Sequence, residues 1–383
     1  MNLELSEEQE AVRELAEDFV AREITPHVVA WDRAESVDKS IVKKLGALGF
    51  LGLTIPEEYG GSGGDHLAYC LVTEELGRGD SSVRGIVSVS LGLVAKTIAS
   101  WGDEEQKRRW LPRLTAGEAV GCFALTEPGT GSDAGNLSTR AVRDGDDYVI
   151  NGSKMFITNG TWADVVLLFA RTGDVPGHRG VSAFLVPADT PGVTRRTVHG
   201  KLGLRGQATA ELVLEDVRVP AATLLGPEGK GFSLAMSALA KGRMSVAAGC
   251  VGIAQAALDA AVRYAGEREQ FGQPIAGYQL VQELISDISV DVDAARMLTW
   301  RVADLVDRGQ DFATAASTAK LFASEAAVRA ANNALQVFGG YGYIDEYPVG
   351  KLVRDARVMT LYEGTSQIQK LIIGRALTGV SAF

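Results

Sequence analysis

The texture of the chain changes twice, from helical to strand-like and back, and this pattern excludes any fold with one uniform core. Residues 1 to about 118 carry apolar side chains at helical spacing, with stops at Pro26, at Gly60-Gly61-Ser62-Gly63-Gly64 and at Leu111-Pro112. Ser6-Glu7-Glu8-Gln9 has the spacing of a capping box, and Val12, Leu15 and Phe19 follow it on one helical face. From Gly121 the chain breaks into short β-rich runs, Tyr148-Val149-Ile150, Val165 to Phe169, Val181 to Val186 and Leu212-Val213-Leu214, punctuated by Gly, Pro, Asp and Asn until about Pro227. After Gly231 helical spacing returns, with Val281, Leu284, Ile285, Ile288, Val292, Ala295, Val302 and Leu305 mostly three or four apart. Small residues, as in Ala247-Ala248-Gly249 and Ala313 to Ser317, permit close helix packing. The expected class is α+β: an N-terminal helical domain over 1–120, a β-barrel or sandwich over 121–227, and a C-terminal four-helix bundle over 228–383.

A length of 383 residues is enough for two or three cores, and 46% hydrophobic with 22% charged residues is a globular composition. The net charge of -10 repels polyanions and argues against a nucleic acid or an anionic membrane as the main partner. Cys70, Cys122 and Cys250 are widely spaced and form no Cys-x-x-Cys pair, which fits a reducing, cytoplasmic setting. No uninterrupted apolar run approaches about 20 residues. The N-terminus reads as a folded helix, and Val380-Ser381-Ala382-Phe383 is not a peroxisomal address.

Chemistry is narrowed first by exclusion. The four histidines, His27, His66, His178 and His199, form no metal-ligand spacing. The Gly-x-Ser-x-Gly at Gly60 to Gly64 has no strand before it, so a hydrolase elbow is unsupported. Neither a phosphate-binding Gly-x-x-x-x-Gly-Lys loop nor a strand-linked Gly-x-Gly-x-x-Gly is present. What remains is an ordered set of segments: Thr126-Glu127-Pro128-Gly129-Thr130-Gly131-Ser132-Asp133, Lys154-Met155-Phe156-Ile157-Thr158-Asn159-Gly160, Arg243, Arg268-Glu269-Gln270-Phe271-Gly272, Gln336 to Gly342, and Tyr362-Glu363-Gly364-Thr365-Ser366-Gln367-Ile368. Each alone is a glycine turn or a strand end. Together, in this order, they resemble the acyl-CoA dehydrogenases over nearly the whole chain.

That resemblance implies FAD as cofactor, with Phe123, Leu125, Thr126, Gly131 and Ser132 on one strand and turn and Phe156, Ile157 and Thr158 on another. Many members have Trp where this chain has Phe156. It further implies that a neighbouring subunit completes the FAD site through Arg268, Gln270, Phe271, Gln336, Gly339 and Gly340, with Thr365 and Gln367 near the adenosine half. A homo-oligomer, expected as a tetramer, follows. By the same resemblance Glu363 is the base that removes the proton beside an acyl-CoA thioester, and an electron-transfer flavoprotein is the electron acceptor. Some members carry that base on a helix at the position of Gly242, where glycine cannot serve. Ser132, Arg243, Tyr362 and Gly364 are expected against the substrate, although an acidic residue common in the family is Ala240 here.

Arg84 and Ser88 stand where glutaryl-CoA dehydrogenases hold an Arg and a Ser at similar spacing. If Arg84 points inward, an acyl chain ending in a polar or acidic group becomes an alternative, the other place for it being an outer helix face or a subunit contact; a short straight or branched chain is the default expectation. Two other classes remain open at this level: an oxygen-reactive relative such as an acyl-CoA oxidase or monooxygenase, and a helical scaffold without flavin.

Overall fold

The computed structural model describes residues 4–175 and 177–382; Phe383 of the C-terminal tetrapeptide lies outside them. The chain opens with α1 (Glu7–Phe19), α2 (Val28–Ala34), α3 (Ile41–Ala47), α4 (His66–Gly79), α5 (Ser81–Val89), α6 (Lys96–Trp101) and α7 (Glu104–Thr115). The capping box forms as expected, with the Ser6 hydroxyl accepting from Gln9 N and the Gln9 side chain accepting from Ser6 N. The buried face of α1 is slightly rotated from the expected one. Ala16 and Phe19 are buried whereas Leu15 is 41% exposed, so the small residue rather than the Leu meets the core. Pro112 does not stop its helix. It sits inside α7, where its missing N–H forfeits one backbone hydrogen bond, and the helix ends three residues later at Thr115.

The middle of the chain forms one eight-stranded sheet in the order β6-β7-β3-β2-β4-β5-β8, with β1 paired to β4. Its strands are β1 (Gly121–Ala124), β2 (Arg140–Asp144), β3 (Asp147–Ile157), β4 (Val165–Arg171), β5 (Val181–Pro187), β6 (Val193–Thr197), β7 (Ala210–Pro220) and β8 (Leu224–Leu225). The two-residue period explains why β4 reads as a continuous apolar run. Val165, Leu167 and Phe169 join the helical core, while Val166, Leu168 and Ala170 join a separate core enclosed by the sheet with Tyr148, Ile150, Phe184 and Leu212.

The C-terminal helices are α8 (Gly231–Glu267), α9 (Gln279–Asp307), α10 (Ala313–Phe338), α11 (Val349–Met359) and α12 (Ser366–Thr378). Small residues set their separation. A side chain at Gly252 would strike the Glu74 carbonyl of α4, and α10 buries Ala316, Ala319, Ala323, Ala327, Ala330 and Ala334 in succession. Two helical stretches, Ser81–Trp101 and Gly231–Glu267, are long and apolar enough to cross a bilayer although the sequence pattern predicts none. Their most apolar windows are 94% and 72% buried inside the protein, and apolarity all round is what a core helix requires.

Candidate active site

The site is built where β1, the end of β3, α5, α8 and the loop after α11 converge around a cavity of about 210 Å³. Phe123, Leu125, Thr126, Gly131, Ser132, Phe156, Ile157 and Thr158 line one side of it; Arg84, Ser88, Arg243, Tyr362, Glu363 and Gly364 line the other. Fourteen residues singled out on sequence grounds therefore share one wall system. The side chain of Arg84 faces this cavity and not solvent: it is 1% exposed, donating from Nη1 to Ser88 Oγ at 2.8 Å and from Nη2 to Tyr362 Oη at 2.6 Å. Its Nε has no partner. Asp80 caps α5 by accepting from Ser82 N and Val83 N and is itself ion-paired to Lys351 at 3.0 Å, which fixes the helix that carries Arg84.

Glu363 sits in a left-handed backbone conformation, φ 50°, followed by Gly364 at φ 93°. A non-glycine residue rarely holds such a conformation unless the surroundings impose it. Here Lys320, fully buried on α10, donates from Nζ to the Gly364 carbonyl at 2.8 Å, and Gln369 Nε2 donates to the carbonyls of Glu363 and Gly364 at 3.2 and 3.0 Å. The carboxylate itself is left without a hydrogen bond: Oε2 is inaccessible to solvent and unpaired. Burial pushes the Glu363 carboxyl up to about 7, against the opposing attraction of Arg84, Lys320 and Arg243. Space for it comes from Gly242 on α8, where any Cβ would collide with Glu363 Oε2. Lys320 and Gln207 carried no signal in the sequence, because each acts from a segment remote in the chain, and Gln369, one turn into the helix that follows the loop, belongs to no motif.

The opposite wall is held by a buried ion pair, Lys154 to Glu127 at 2.8 Å. Glu127 also accepts from Ser138 N and Oγ and from Thr139 N, and Lys154 donates to the Leu125 carbonyl, so the turn after β1 is clamped from both sides. Burial works to raise the Glu127 carboxyl, but the charge and hydrogen bond of Lys154 and the Ser138 and Thr139 donors outweigh it and hold it at about 2. Phe156 is 63% exposed at φ 60°, an apolar ring presented at the cavity edge and not packed in the core. The Thr158 hydroxyl donates to Gln207 Oε1 at 3.4 Å.

Eight other expected cofactor residues lie elsewhere. Arg268, Gln270, Gly339 and Gly340 line a second groove beside Tyr264, Phe338 and Tyr341, while Phe271 projects with 95% of its surface exposed. Gln336 and Gln367 are exposed, and the Thr365 hydroxyl caps α12 by accepting from Ile368 N.

The residues present suit a flavin. The cavity has apolar and aromatic walls, hydroxyls at Thr126, Ser132 and Thr158, and open space around Gly131, where a Cβ would meet nothing within 4 Å. Such walls, facing a carboxylate raised toward neutrality, are the architecture of a flavin-dependent dehydrogenase.

Comparison with known proteins fixes the family. The N-terminal, middle and C-terminal domain profiles of acyl-CoA dehydrogenase match residues 6–118, 122–217 and 229–378. A probable acyl-CoA dehydrogenase of Bacillus subtilis, YngJ, is 48% identical over 98% of this chain and 100% of its own length. The human mitochondrial short-chain specific enzyme is 44% identical over 97% of this chain and 90% of its own. Among solved structures, a chain from work on the electron transferring flavoprotein of Acidaminococcus fermentans superposes with a TM-score of 0.97 at 42% identity, covering 99% and 100% of the two chains. Butyryl-CoA dehydrogenase from Megasphaera elsdenii gives 0.96 at 41%, covering 98% and 100%. Glutaryl-CoA dehydrogenase from Mycobacterium smegmatis gives 0.95 at 38%, covering 99% and 96%. The chain belongs to the acyl-CoA dehydrogenase family and is an FAD-dependent oxidoreductase acting on acyl-CoA thioesters.

Proposed function

We propose that the chain oxidises the Cα–Cβ bond of a short-chain acyl-CoA to the trans-2-enoyl-CoA, with Glu363 as the base. The observation that carries this reading is the unpaired, buried Oε2 of Glu363 in the cavity wall, with its carboxyl raised to about 7. A base poised near neutrality takes a proton from an acidified carbon better than one near 4. Glu363 removes the α-proton, and its backbone N–H is assigned to the thioester oxygen, where a donor stabilises the developing negative charge. Arg84, Lys320 and Arg243 add positive potential around the same carboxylate. FAD, when bound between the Thr126–Ser132 turn and the Phe156–Thr158 segment, supplies the hydride acceptor. Tyr362 and Gly364 flank the acyl group, and Arg243 orients the base loop.

The short-chain and butyryl-CoA names of the relatives support the chain length, and the Acidaminococcus neighbour supports an electron-transferring flavoprotein as acceptor. Arg268, Gln270, Phe271, Gln336, Gly339 and Gly340, with Thr365 and Gln367 toward the adenosine, are assigned to the FAD of a neighbouring copy. Their groove is separate from the cavity, and Arg268 offers a guanidinium to a diphosphate. This supports a homo-oligomer, a dimer of dimers in our reading, built from units 1–120, 121–227 and 228–383. Three buried free thiols support a cytoplasmic setting.

The decisive experiment is anaerobic titration of the yellow protein with butyryl-, isobutyryl-, isovaleryl- and glutaryl-CoA. At least one short thioester should bleach the flavin, and Glu363→Gln should bind the same ligand without bleaching. Near-normal reduction in that variant removes the base assignment, and rapid peroxide formation in air would favour an oxidase instead. A second reading, an acyl chain with a polar or carboxylate tail, is favoured by one observation: Arg84 is buried against the cavity with Nε unpartnered and no ion-paired carboxylate among the described residues. Its cost is recovered when a substrate anion meets it. Arg84→Ala should then impair glutaryl-CoA far more than butyryl-CoA; equal loss on both excludes the polar tail.

A further inference from the structure

Outside the active-site cavity another buried cation has no hydrogen-bond partner among the described residues. Lys96, at the start of α6, is 7% exposed, and its Nζ makes no hydrogen bond. It lies 4.0 Å from the centroid of the Tyr69 ring, which offers its negative face but no lone pair. The ammonium borders a crevice of about 10 Å³ whose other polar members are Thr97, Ser100, Ser237 and Lys241. The hydroxyl hydrogens of Thr97 and Ser100 are already given to the carbonyls of Leu93 and Lys96. The donors left to the crevice are therefore those of Lys96, Lys241, Ser237 and the Trp101 indole.

No acid balances them. Neither Lys96 nor Lys241 forms an ion pair among the described residues, and Asp307, the acid whose field reaches Lys96, is taken up by the His66 ring at 2.6 Å and by the His66 backbone N–H. Burial and the repulsion of Lys241 hold the Lys96 ammonium down to about 7. Two like charges around a half-open crevice with no counter-charge are unfavourable, and one small anion relieves the arrangement.

We infer that the crevice between Lys96 and Lys241 binds one small monovalent inorganic anion of chloride size. The small volume favours a single compact ion over a larger oxyanion. Ser100 and Ser237 are exposed, so the ion has a path from solvent. Occupancy matters to the active site through a continuous set of contacts. Lys96 stacks on Tyr69, Tyr69 Oη donates to Ser245 Oγ at 2.9 Å, Ser245 and Ser88 share a hydrogen bond at 2.7 Å, and Ser88 accepts from Arg84. The anion keeps Lys96 charged over Tyr69 and thereby steadies the helix that presents Arg84 and Ser88.

The test uses the FAD-loaded wild-type protein. Crystals soaked in bromide should show an anomalous peak at hydrogen-bond distance from Lys96 Nζ. Replacing gluconate, too large for the crevice, by chloride at constant ionic strength should raise the melting temperature by about 2 °C. Lys96→Met should abolish that rise and Lys241→Gln should weaken it. Absence of the bromide peak overturns the site. A peak with no chloride-dependent melting shift means an adventitious ion only, and also overturns it. Should Lys96→Met fail to fold, the wild-type bromide map and the Lys241→Gln response decide alone: an unchanged chloride response in Lys241→Gln counts against the site.

Discussion

Gly242→Ala tests whether the carboxylate of Glu363 works from the position it occupies. The added methyl would overlap Glu363 Oε2 outright and would stand 2.9 Å from Leu93 Cδ2 and 3.1 Å from Glu363 Cδ, against an ordinary contact of 3.4 Å or more. The carboxylate is the flexible end of a side chain while Gly242 lies within a 37-residue helix, so the carboxylate is the part that yields. Relief of the overlap requires a shift of about 1 Å. A misplacement of about 1 Å in a reacting group costs about 10²-fold in rate, which is about 2.7 kcal/mol of barrier. Stability should fall by about 1–3 kcal/mol, as for one excess methyl in a packed core. Single-turnover flavin reduction by butyryl-CoA, measured by stopped flow, should slow by about 10²-fold while binding of the product enoyl-CoA stays within a few-fold. A reduction rate within threefold of wild type would refute the reasoning, since it would show that the carboxylate acts from somewhere other than the space above Gly242.

Two further outcomes follow from the same geometry. The acid limb of kcat/KM against pH should rise through about 7 as Glu363 ionises. A carboxyl raised in the folded state binds its proton more tightly there, so its contribution to stability is full below about 4.5 and is lost as pH rises through about 7. Glu363→Gln should therefore gain stability over wild type at pH 8 and not at pH 4.5, and equal melting differences at both values would contradict the raised carboxyl. Lys154→Met leaves the Glu127 carboxylate buried without its counter-charge and should cost about 3–5 kcal/mol in urea denaturation, with faster loss of FAD from the turn that Glu127 anchors. Unchanged stability would mean that Ser138 and Thr139 satisfy Glu127 by themselves.

The three-part division was legible because it depends on local pattern, a period of two in β4 and a period near 3.6 in α9, whereas the cavity walls were expected only from the resemblance, each segment alone reading as a glycine turn or a strand end. Small residues along α8 and α10 announced close helix contact. What sequence left open was orientation. Arg84 could face either way by periodicity alone; it faces inward because Gly249 on α8 leaves room for its Cδ and Nε and because Ser88 and Tyr362 accept its hydrogen bonds. Pro112 looked like a helix stop but is taken into the last turn of α7, and Leu15 looked like a core residue but was displaced from the core by Ala16 and Phe19.

Glu363 shows most sharply what separates the legible from the illegible. That a carboxylate stands in a Tyr-Glu-Gly-Thr loop is local information; that it is a usable base is not. Its competence requires a left-handed backbone, and that strain is held by Lys320 from α10 and by Gln369 from α12 acting on two successive carbonyls. It requires an apolar setting to raise the carboxyl, and an empty place on α8 to receive Oε2. Gly242, which by itself says only that no base resides at that position, is thus also the reason the Glu363 carboxylate can reach in from the loop. The absence of a side chain at 242 and the room for the Glu363 carboxylate are the same physical fact, since a single volume beside the cavity admits a side chain at 242 or that carboxylate in its present place, and not both.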